Sequence, residues 1–320
     1  MHQASQYLIT PGRPLSCMAI VVGSGAGGAT VAKELAEAGH RVLLIEKGPE
    51  ISEEDAYRHY ANVDAGVKLM RTCCLGGTTM VSAGNAMRCL ENELRGFGID
   101  LASEFTEAEQ ELGVQELPDA LIGEGTRRLM DAASRLGLPV RKMPKFIDPG
   151  RCCQDGRCSF GCPVQARWNA ARFVDAARGH GAKVLTEKAV TGILTRGGQV
   201  TGVRCRLQEY HDDLVVVAAG ALETPRLLGS VGVPTAPLFC DTFASIGGVC
   251  QGIRFNQDVP MGAYVPQNSS LILTHYSRQL VAALQGTGHA VGDGDVLGMM
   301  VKIADEDTGS VGETIEKGVT

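Results

Sequence analysis

Two short runs of apolar residues near the start of the chain flank a glycine-rich turn and a helical pattern. Residues 18–22 are apolar and lead into the glycine-rich run 23–28, and a second apolar run covers residues 41–45. Short apolar runs bounded by glycine are typical of buried strands. Between the runs, Val31 and Leu35 lie one helical turn apart and give the intervening helix a narrow apolar face. The pattern therefore predicts a strand, a helix and a second strand in a βαβ-sized unit.

Later segments repeat this alternation of helical and extended patterns. Helical periodicity predicts helices over 124–136 and 166–177. Between them, residues 139–163 are dense in Pro, Gly and Cys and predict an ordered loop. Short apolar runs predict strands over residues 183–185, 192–194, 200–207, 214–217, 263–265, 271–273 and 298–303. Mixed helices and strands of this kind indicate an α/β fold.

Length and composition narrow the class of protein and the class of partner. The 320 residues allow about two domains, and 44% hydrophobic residues can form a core. The formal net charge is −6 with no long basic run, so we expect small molecules or proteins as partners and no nucleic acid. No run approaches the roughly 20 apolar residues of a membrane span. The 11 cysteines, without a signal-peptide pattern, favour a cytoplasmic location and metal or redox chemistry.

The glycine run after the first strand has the G-x-G-x-x-G spacing of dinucleotide-binding turns. Gly23 permits the tight turn, Gly25 lets the backbone approach a pyrophosphate, and Gly28 allows close contact of helix and strand. The start of the helix attracts phosphate charge. Glu46 ends the second strand about 20 residues later, where an acid accepts hydrogen bonds from ribose hydroxyls. The motif predicts a dinucleotide without separating NAD from FAD, and an ordinary tight turn is the alternative.

Two further segments favour a flavin over a nicotinamide cofactor. Residues 215–221 form an apolar strand that ends in small residues, so the backbone can pass close to a cofactor. Residues 76–79, Gly-Gly-Thr-Thr, offer backbone and hydroxyl donors to phosphates and a flavin ring. A buried strand with a tight turn and a plain surface loop are the respective alternatives.

Together these segments resemble the glucose-methanol-choline (GMC) flavoprotein oxidoreductases, from Met18 to nearly the end of the chain. The stretch 220–228 is similar to that family's second signature, although Val231 stands where Ser is expected. The resemblance implies FAD as cofactor and hydride transfer from an alcohol or sugar carbon to flavin N5. It also implies that Val190 approaches the adenine through its backbone. The cofactor-binding residues that we predict are Gly23, Ser24, Gly25, Ala26, Gly27, Gly28, Glu46, Lys47, Gly76, Gly77, Thr78, Thr79, Asn85, Val190, Ala219 and Gly220.

The resemblance also divides the α/β chain by function. Residues 17–138 and 166–235 are expected to form a Rossmann-like FAD-binding domain in two parts. Residues 139–165 are expected to form a cysteine-rich loop between those parts. Residues 236–320 are expected to form an incomplete, sheet-based substrate domain.

The catalytic residues of that family have no evident counterpart in this sequence. The family places its catalytic His, paired with a second His or Asn, in a C-terminal segment, and the seven His residues present match no such motif. We therefore expect a truncated or split enzyme. Asn85 and His275 are the catalytic candidates, because both would lie near a flavin or substrate cleft.

Four cysteines lie within eleven residues of the Pro- and Gly-rich loop, at Cys152, Cys153, Cys158 and Cys162. A ferredoxin run, C-x2-C-x2-C-x3-C-P, would place a ligand at position 155, which is Asp155 here. Close thiolates with glycine between them suit an iron–sulfur cluster, because the loop must surround the inorganic core and donate N–H groups to it. Zinc is the first alternative, although its ligands usually form two separated pairs. Buried unligated thiols are the second.

The C-C-x4-C-x3-C pattern also resembles the flavin subunits of bacterial FAD-dependent glucose and related sugar dehydrogenases, a branch of this family with a 3Fe-4S cluster. That comparison implies Cys153, Cys158 and Cys162 as ligands, whereas the ferredoxin spacing uses Cys152 in place of Cys153. The choice between three and four irons stays open. A fourth ligand would be Asp155 or one of the remote thiols Cys73, Cys74 and Cys89.

Three functions stay open at this point. The first is the flavin and iron–sulfur subunit of a GMC-type alcohol or sugar dehydrogenase, which passes electrons to an acceptor protein. The second is a non-catalytic electron-transfer subunit with the same cofactors, whose active site a partner chain completes. The third is an NAD-dependent reductase with a structural zinc, which segments 76–79 and 215–221 fit less well.

Overall fold

The computed structural model describes residues 18–60, 71–234, 238–239, 242–267, 270–274, 278–303 and 308–309. Its α-helices are α1 (Ala26–Glu37), α2 (Glu91–Gly96), α3 (Ala102–Leu112), α4 (Glu124–Arg135), α5 (Ala171–Gly179), α6 (Gly220–Gly229) and α7 (Arg278–Gly286). Its strands are β1 (Met18–Val22), β2 (Arg41–Ile45), β3 (Gln115–Glu116), β4 (Arg141–Lys142), β5 (Pro144–Lys145), β6 (Lys183–Leu185), β7 (Gly192–Arg196), β8 (Gln199–Cys205), β9 (Gln208–His211), β10 (Leu214–Val217), β11 (Leu238–Phe239), β12 (Thr242–Val249), β13 (Ala263–Gln267), β14 (Ser270–Thr274), β15 (Val296–Ile303) and β16 (Thr308–Gly309). None of the described helices is long and apolar enough to cross a bilayer.

Most predicted elements are confirmed, and the mixed α/β class with them. β1, β2, β6 and β10 have the predicted bounds, and β13, β14 and β15 contain the three strands predicted after residue 260. The helix predicted over 166–177 begins only at Ala171. Arg167 forms a β-bridge with Ile147, and the Asn169 side chain accepts a hydrogen bond from the Ala171 amide at 3.0 Å, so the preceding residues are extended.

The apolar pattern does not predict α2, α3, α6, α7, β9 or β12. α2 and α3 bury no residue, and their large apolar residues are few, Leu94 in α2 and Phe105 and Leu112 in α3, so the apolar periodicity that marks a helix in a sequence is weak. α6 contains Pro225, a residue that ordinarily interrupts helices. β12 includes two adjacent glycines, which are uncommon in strands.

The described residues within Met1–Pro49 and Phe173–Pro234 form one compact unit. Its central sheet has the order β10-β1-β2-β6, and all three pairings are parallel. Since β2 lies on one side of β1 and β10 on the other, the strand order reverses at β1. Such a reversal leaves a crevice at the carboxyl ends of β1 and β10, the kind of place where α/β sheets bind ligands. An antiparallel sheet β7-β8-β9 belongs to the same unit.

The core of this first unit joins its two sheets to α6. Its buried members are Ile20, Val22, Leu43, Ile45, Val203, Cys205 and Leu227. Each fully buried aliphatic side chain of this kind contributes about 1.5–3 kcal/mol of hydrophobic stabilisation. The core therefore holds the carboxyl edge of the parallel sheet in place.

The described residues within Glu50–Arg172 and Thr235–Thr320 form a second compact unit. It contains a five-stranded antiparallel sheet of order β12-β15-β14-β13-β4. One buried cluster packs Cys162 with Leu117, Ile147 and Val259, and another packs Cys74 with Ala56, Met80 and Val81. These two clusters position the cysteine loop and the predicted flavin segment. The functional boundaries expected at residues 138, 165 and 235 stay predictions.

Candidate functional site

The first glycine turn joins β1 to α1 at the crevice between β1 and β10. Gly23 has φ +96°, and a Cβ there would lie 2.4 Å from the Ala218 carbonyl oxygen. A Cβ on Gly28 would lie 1.9 Å from the Gly23 carbonyl oxygen. Both distances are far below van der Waals contact, so only glycine fits at these two positions.

Space is open at the start of α1, beside this turn. A Cβ on Gly25 or Gly27 would have no atom within 4 Å, and Ala26 between them is exposed. The first turn of α1 contains no acidic side chain. The free N–H groups and the dipole at a helix start attract anions. The turn therefore fits the pyrophosphate of a dinucleotide in both space and charge.

Glu46 connects the end of β2 to the glycine turn. Its Oε2 accepts hydrogen bonds from the Ser24 amide at 2.9 Å and the Ser24 hydroxyl at 2.7 Å. Its Oε1 accepts one from the Gly48 amide at 2.7 Å. Because Ser24 and Glu46 are both buried, the carboxylate stabilises the turn in addition to any contact with a ribose. Lys47 is exposed, and its ammonium pairs with Glu223 at 3.2 Å.

The turn between β10 and α6 lies against the first turn. The Ala218 amide donates to the Val22 carbonyl at 2.8 Å. Gly220 has φ +85°, and a Cβ there would have no atom within 4 Å. Ala219 and Val190 are partly buried against the core of the first unit. Two helices, α1 and α6, thus begin at the same edge of the parallel sheet.

The predicted flavin segment begins a short 3-10 helix in the second unit. Gly76 has φ +86°, and its carbonyl accepts a hydrogen bond from the Thr79 hydroxyl at 2.6 Å. The same hydroxyl accepts one from the Ala170 amide at 2.9 Å. The Thr78 hydroxyl accepts one from the Thr72 amide at 3.3 Å. Both hydroxyls therefore hold the backbone of the segment in its conformation.

A buried arginine contacts the same segment. Arg167 donates to the Thr79 carbonyl and, at 2.7 Å, to the Ser82 hydroxyl. It also forms an ion pair with Glu53, whose second oxygen accepts a hydrogen bond from the Asn169 amide group at 2.9 Å. Burial raises the pKa of Glu53, and the charge of Arg167 opposes that shift. This network fixes the flavin segment to the residues that precede α5.

Lys145 is fully buried, and its three hydrogen bonds go to uncharged acceptors. Its ammonium donates to the Ala83 carbonyl at 2.9 Å, to Asn85 Oδ1 at 2.6 Å and to the Pro260 carbonyl at 2.7 Å. Burial lowers the pKa of Lys145 to about 7. The Cys158 thiol lies close enough to interact with it: in its ionised form, this thiol would raise the pKa of Lys145.

The structure describes one of the two catalytic candidates. The Asn85 side chain accepts from Lys145 and donates from Nδ2 to Met261 Sδ at 3.1 Å, so its amide is engaged at both ends. His275 lies outside the described residues. Among the described histidines, three are exposed and two are half-buried; they are His180, His211 and His289, and His40 and His59.

The four cysteines of the loop line one small cavity. Its volume is about 10 Å³, room for about one water molecule. Its polar lining consists of Cys152, Cys153, Cys158, Cys162, Gln154, Asp155 and Arg167. The Cys162 thiol accepts a hydrogen bond from the Ala166 amide at 3.3 Å, the kind of N–H donor that iron–sulfur sites use. The remote thiols Cys73, Cys74 and Cys89 do not line this cavity.

The thiols are gathered without forming a metal-ligand set. Burial raises the pKa of Cys152 and Cys153, and it raises that of Cys158 to about 12, so these groups are protonated at neutral pH. Among the residues that the structure describes, no three Asp, Glu, His or Cys side chains lie close enough to hold a metal ion. The described cavity thus brings four thiols together, but it has neither the room nor the donor arrangement of a metal or cluster site.

Sequence patterns missed the charged residues that organise both regions, namely Glu53, Lys145 and Arg167. A single charged residue outside a periodic segment gives no signal of burial. Lys145 is the exception: it is the one charged residue in the apolar stretch Met143 to Ile147, and that position indicates burial. Arg167 and Glu53 are 114 positions apart, and only the fold brings them together.

The sequence is similar to a known protein family and to several known proteins over most of its length. The sequence profile described as GMC oxidoreductase matches residues 17–253. An uncharacterized protein of Methanocaldococcus jannaschii is 28% identical over 298 residues, which cover 91% of this chain and 73% of that one. An uncharacterized GMC-type oxidoreductase of Mycobacterium tuberculosis is 32% identical over 307 residues, which cover 86% and 48%. A long-chain-alcohol oxidase of Arabidopsis thaliana is 26% identical over 260 residues, which cover 70% and 35%.

Solved structures share the fold. The crystal structure of pyridoxine 4-oxidase from Mesorbium loti aligns with a TM-score of 0.67 at 20% identity, over 92% of this chain and 73% of that one. The chain thus spans about three quarters of the archaeal relative and about half of the mycobacterial one. Because the family profile covers most of the chain, the protein belongs to the GMC oxidoreductase family, a family of FAD-binding oxidoreductases with a Rossmann-like fold.

Proposed function

We propose that the chain is the flavin-binding part of a dehydrogenase that oxidises the CH–OH group of an alcohol or sugar. The observation that supports it is the pair of glycine turns at the carboxyl edge of the parallel sheet, with open space at Gly25, Gly27 and Gly220. The alcohol oxidase among the relatives agrees with an alcohol donor. When bound, FAD would accept a hydride, and an iron–sulfur cluster would pass the electrons singly to another carrier.

In this proposal the chain's own residues bind and orient the cofactor. The first amides of α1, from Ala26 onward, would donate to the pyrophosphate, and Glu46 would accept from the adenosine ribose. Val190 would contact the adenine through its backbone. The Gly76 to Thr79 segment would contact the flavin, and the Thr79 hydroxyl, already bonded to the backbone, keeps this segment rigid. Residues 236–320 contribute to the substrate domain.

The cofactor proposal has a direct test. Protein purified without oxygen is denatured, and the released nucleotide is identified by chromatography. FAD in near-stoichiometric amount supports the proposal, whereas NAD, or folded protein that neither retains nor rebinds FAD, contradicts it. Membership in an FAD-binding family makes the NAD-dependent reductase with a structural zinc the weaker alternative.

We also propose an iron–sulfur cluster in the cysteine-lined cavity. Two buried basic residues, Lys145 and Arg167, lie near the thiols; Glu53 pairs with Arg167, whereas burial lowers the pKa of Lys145 to about 7 because its positive charge has no counter-charge beside it. A buried cation without a counter-charge is costly. Thiolate ligands would supply that charge, with Cys153, Cys158 and Cys162 as the three-cysteine set. Cys152 is the alternative to Cys153, and Asp155 is the candidate for a fourth ligand.

Iron and acid-labile sulfide analysis, with electron paramagnetic resonance of the oxidised and reduced protein, tests the cluster. Cys158→Ser should abolish iron retention while the protein stays folded. Cys250→Ser is the matched control, because that half-buried thiol does not line the cavity. Folded wild-type protein that cannot be reconstituted with iron and sulfide would contradict the proposal. Zinc retained in its place would favour the structural-metal alternative.

A second function is favoured by the surroundings of Asn85. Both ends of its amide are engaged within the protein, and the described histidines are exposed or half-buried. The chain would then be an electron-transfer subunit whose acid–base residues come from a partner chain. Oxidation of an alcohol by this chain alone, with an artificial acceptor, would exclude this second function. A cytoplasmic location also stays a proposal, supported by the number of cysteines.

A further inference from the structure

Residues 86–116, which we call the acidic arm, contain no buried residue. The arm comprises α2, α3 and β3. Each of the other described α-helices buries at least one side chain, whereas α2 and α3 bury none. In proteins, most helix stability comes from packing an apolar face. Two successive helices without a fully buried side chain therefore leave much of their surface open to a partner.

The arm exposes a cluster of large apolar side chains. Phe97 is 83% exposed, Leu90 59%, Ile99 47% and Met87 37%. Leu90 and Phe97 flank α2, which is about 9 Å long, and Met87 and Ile99 follow within three residues on either side, so the four residues lie close together along the chain. Single exposed apolar residues are ordinary, but a cluster of this kind marks an interaction site. Phe97, an exposed aromatic residue, is of the type that anchors protein interfaces.

Charge identifies the kind of partner. The arm contains eight acidic and two basic residues, so its formal charge of −6 equals that of the whole chain, and the other residues sum to zero. Both basic residues are paired within the arm: Arg88 binds Glu109 at 2.7 Å, and Arg95 lies 3.9 Å from Asp100. Within the arm, then, the Arg88–Glu109 pair connects the segment before α2 to α3, while the remaining acids give the surface its negative charge.

We propose that the acidic arm docks a basic electron-acceptor protein through its exposed apolar cluster. The proposal rests on the dehydrogenase function proposed above, which requires such a carrier. Nucleic acids and anionic membranes are repelled by the arm. A second copy, joined by a symmetric contact, would place two surfaces of charge −6 against each other. Weak electron-transfer complexes have small interfaces and are guided by opposite charges, which suits an arm of 31 residues.

The test measures binding of a basic c-type cytochrome to the holoenzyme by calorimetry, at about 20 and about 200 mM NaCl. We expect binding that weakens at least about tenfold at the higher salt. Phe97→Ser should weaken it by about tenfold, and so should the combined variant Glu104→Gln, Glu107→Gln, Glu111→Gln. The matched control neutralises three exposed acids outside the arm, as Asp131→Asn, Glu187→Gln, Asp213→Asn, and should bind as wild type does.

Wild-type protein that does not bind the basic cytochrome would overturn the proposal, as would arm variants that bind it unchanged. Loss of a homodimer in the Phe97→Ser variant would assign the arm to self-association and also overturn it. Turnover with a small dye acceptor, measured in parallel, should be the same in all variants. Absence of dye turnover in wild type would count against the dehydrogenase function, while the binding measurement still decides the role of the arm.

Discussion

The Arg167 guanidinium and the Glu53 carboxylate form an ion pair in which the two side chains are 1% and 3% exposed. Removing the carboxylate leaves a buried, uncompensated charge, which costs about 3–5 kcal/mol. Glu53→Gln is therefore expected to lower the free energy of unfolding by about that amount in urea titrations. The same variant should loosen the flavin segment, because Arg167 also donates to the Thr79 carbonyl.

The exposed pair between Arg204 and Glu209, at 2.8 Å, is the control for this prediction. Its side chains are 52% and 38% exposed, so solvent screens the interaction. Glu209→Gln should change the free energy of unfolding by less than about 1 kcal/mol. Equal effects of the two substitutions would show that the buried pair has no special role.

Substitutions at Gly25 and Gly28, two glycines of one motif, should separate the effect on folding from the effect on cofactor binding. Gly25→Ala places a methyl group in open space with φ near −66°, so the protein should fold with unchanged stability. The methyl group would occupy the space proposed for the pyrophosphate, and FAD affinity should fall at least about tenfold. Gly28→Ala places its Cβ 1.9 Å from the Gly23 carbonyl oxygen and should destabilise the apoprotein itself. Thermal unfolding and flavin fluorescence titration measure the two effects, and unchanged FAD binding in Gly25→Ala would count against the site.

The parallel sheet and its glycine turn could be predicted from sequence because both depend on neighbouring residues. β1, the turn and β2 occupy one stretch in which apolar runs and glycines follow each other directly. The surroundings of the cysteine loop depend on residues far apart. Lys145 receives its partners from residues 83, 85 and 260, and no local pattern specifies such a site. The acidic arm was missed for a different reason, since helices with only one or two large apolar residues, such as Leu94 in α2 and Phe105 and Leu112 in α3, show little of the periodicity that reveals helices.

Asp258 caps α4 from a distant part of the second unit. Its carboxylate accepts hydrogen bonds from the Gly123 amide at 2.6 Å and the Thr126 amide at 2.9 Å, and the residue is 3% exposed. Asp258→Ala should lower the free energy of unfolding by about 2 kcal/mol, because two amides at a helix start lose their acceptor. Asp258→Asn keeps one acceptor oxygen and should cost less. Urea unfolding followed by circular dichroism checks the order, and an equal loss in both variants would contradict the capping role.

The burial of Lys145 predicts a pH dependence of stability. Its folded-state pKa is about 7 and its ordinary value is 10.5, so between those values the unfolded chain binds a proton that the folded chain lacks. Stability of the metal-free protein should therefore rise with pH from about 7 to about 9, by up to about 1.4 kcal/mol per unit, and above about 9 the raised pKa of Cys158 should oppose the rise. Lys145→Met should remove this slope, whereas the exposed control Lys183→Met should retain it. A slope that persists in Lys145→Met would assign it to other groups.

Gly161 keeps two thiols of the cysteine loop protected. It has φ +109°, and a Cβ there would lie 1.9 Å from the Glu53 carbonyl oxygen, so Gly161→Ala must displace the loop. Cys158 and Cys162, which flank this glycine, should then react with iodoacetamide about tenfold faster or more, the change that about 1.4 kcal/mol of easier local opening produces. Gly150→Ala is the control, since its nearest contact is the Asp148 carboxylate at 3.3 Å. Cys153 is already exposed and should react quickly in every variant. If Cys158 and Cys162 react no faster in Gly161→Ala than in wild type, the loop protects these two thiols without this glycine.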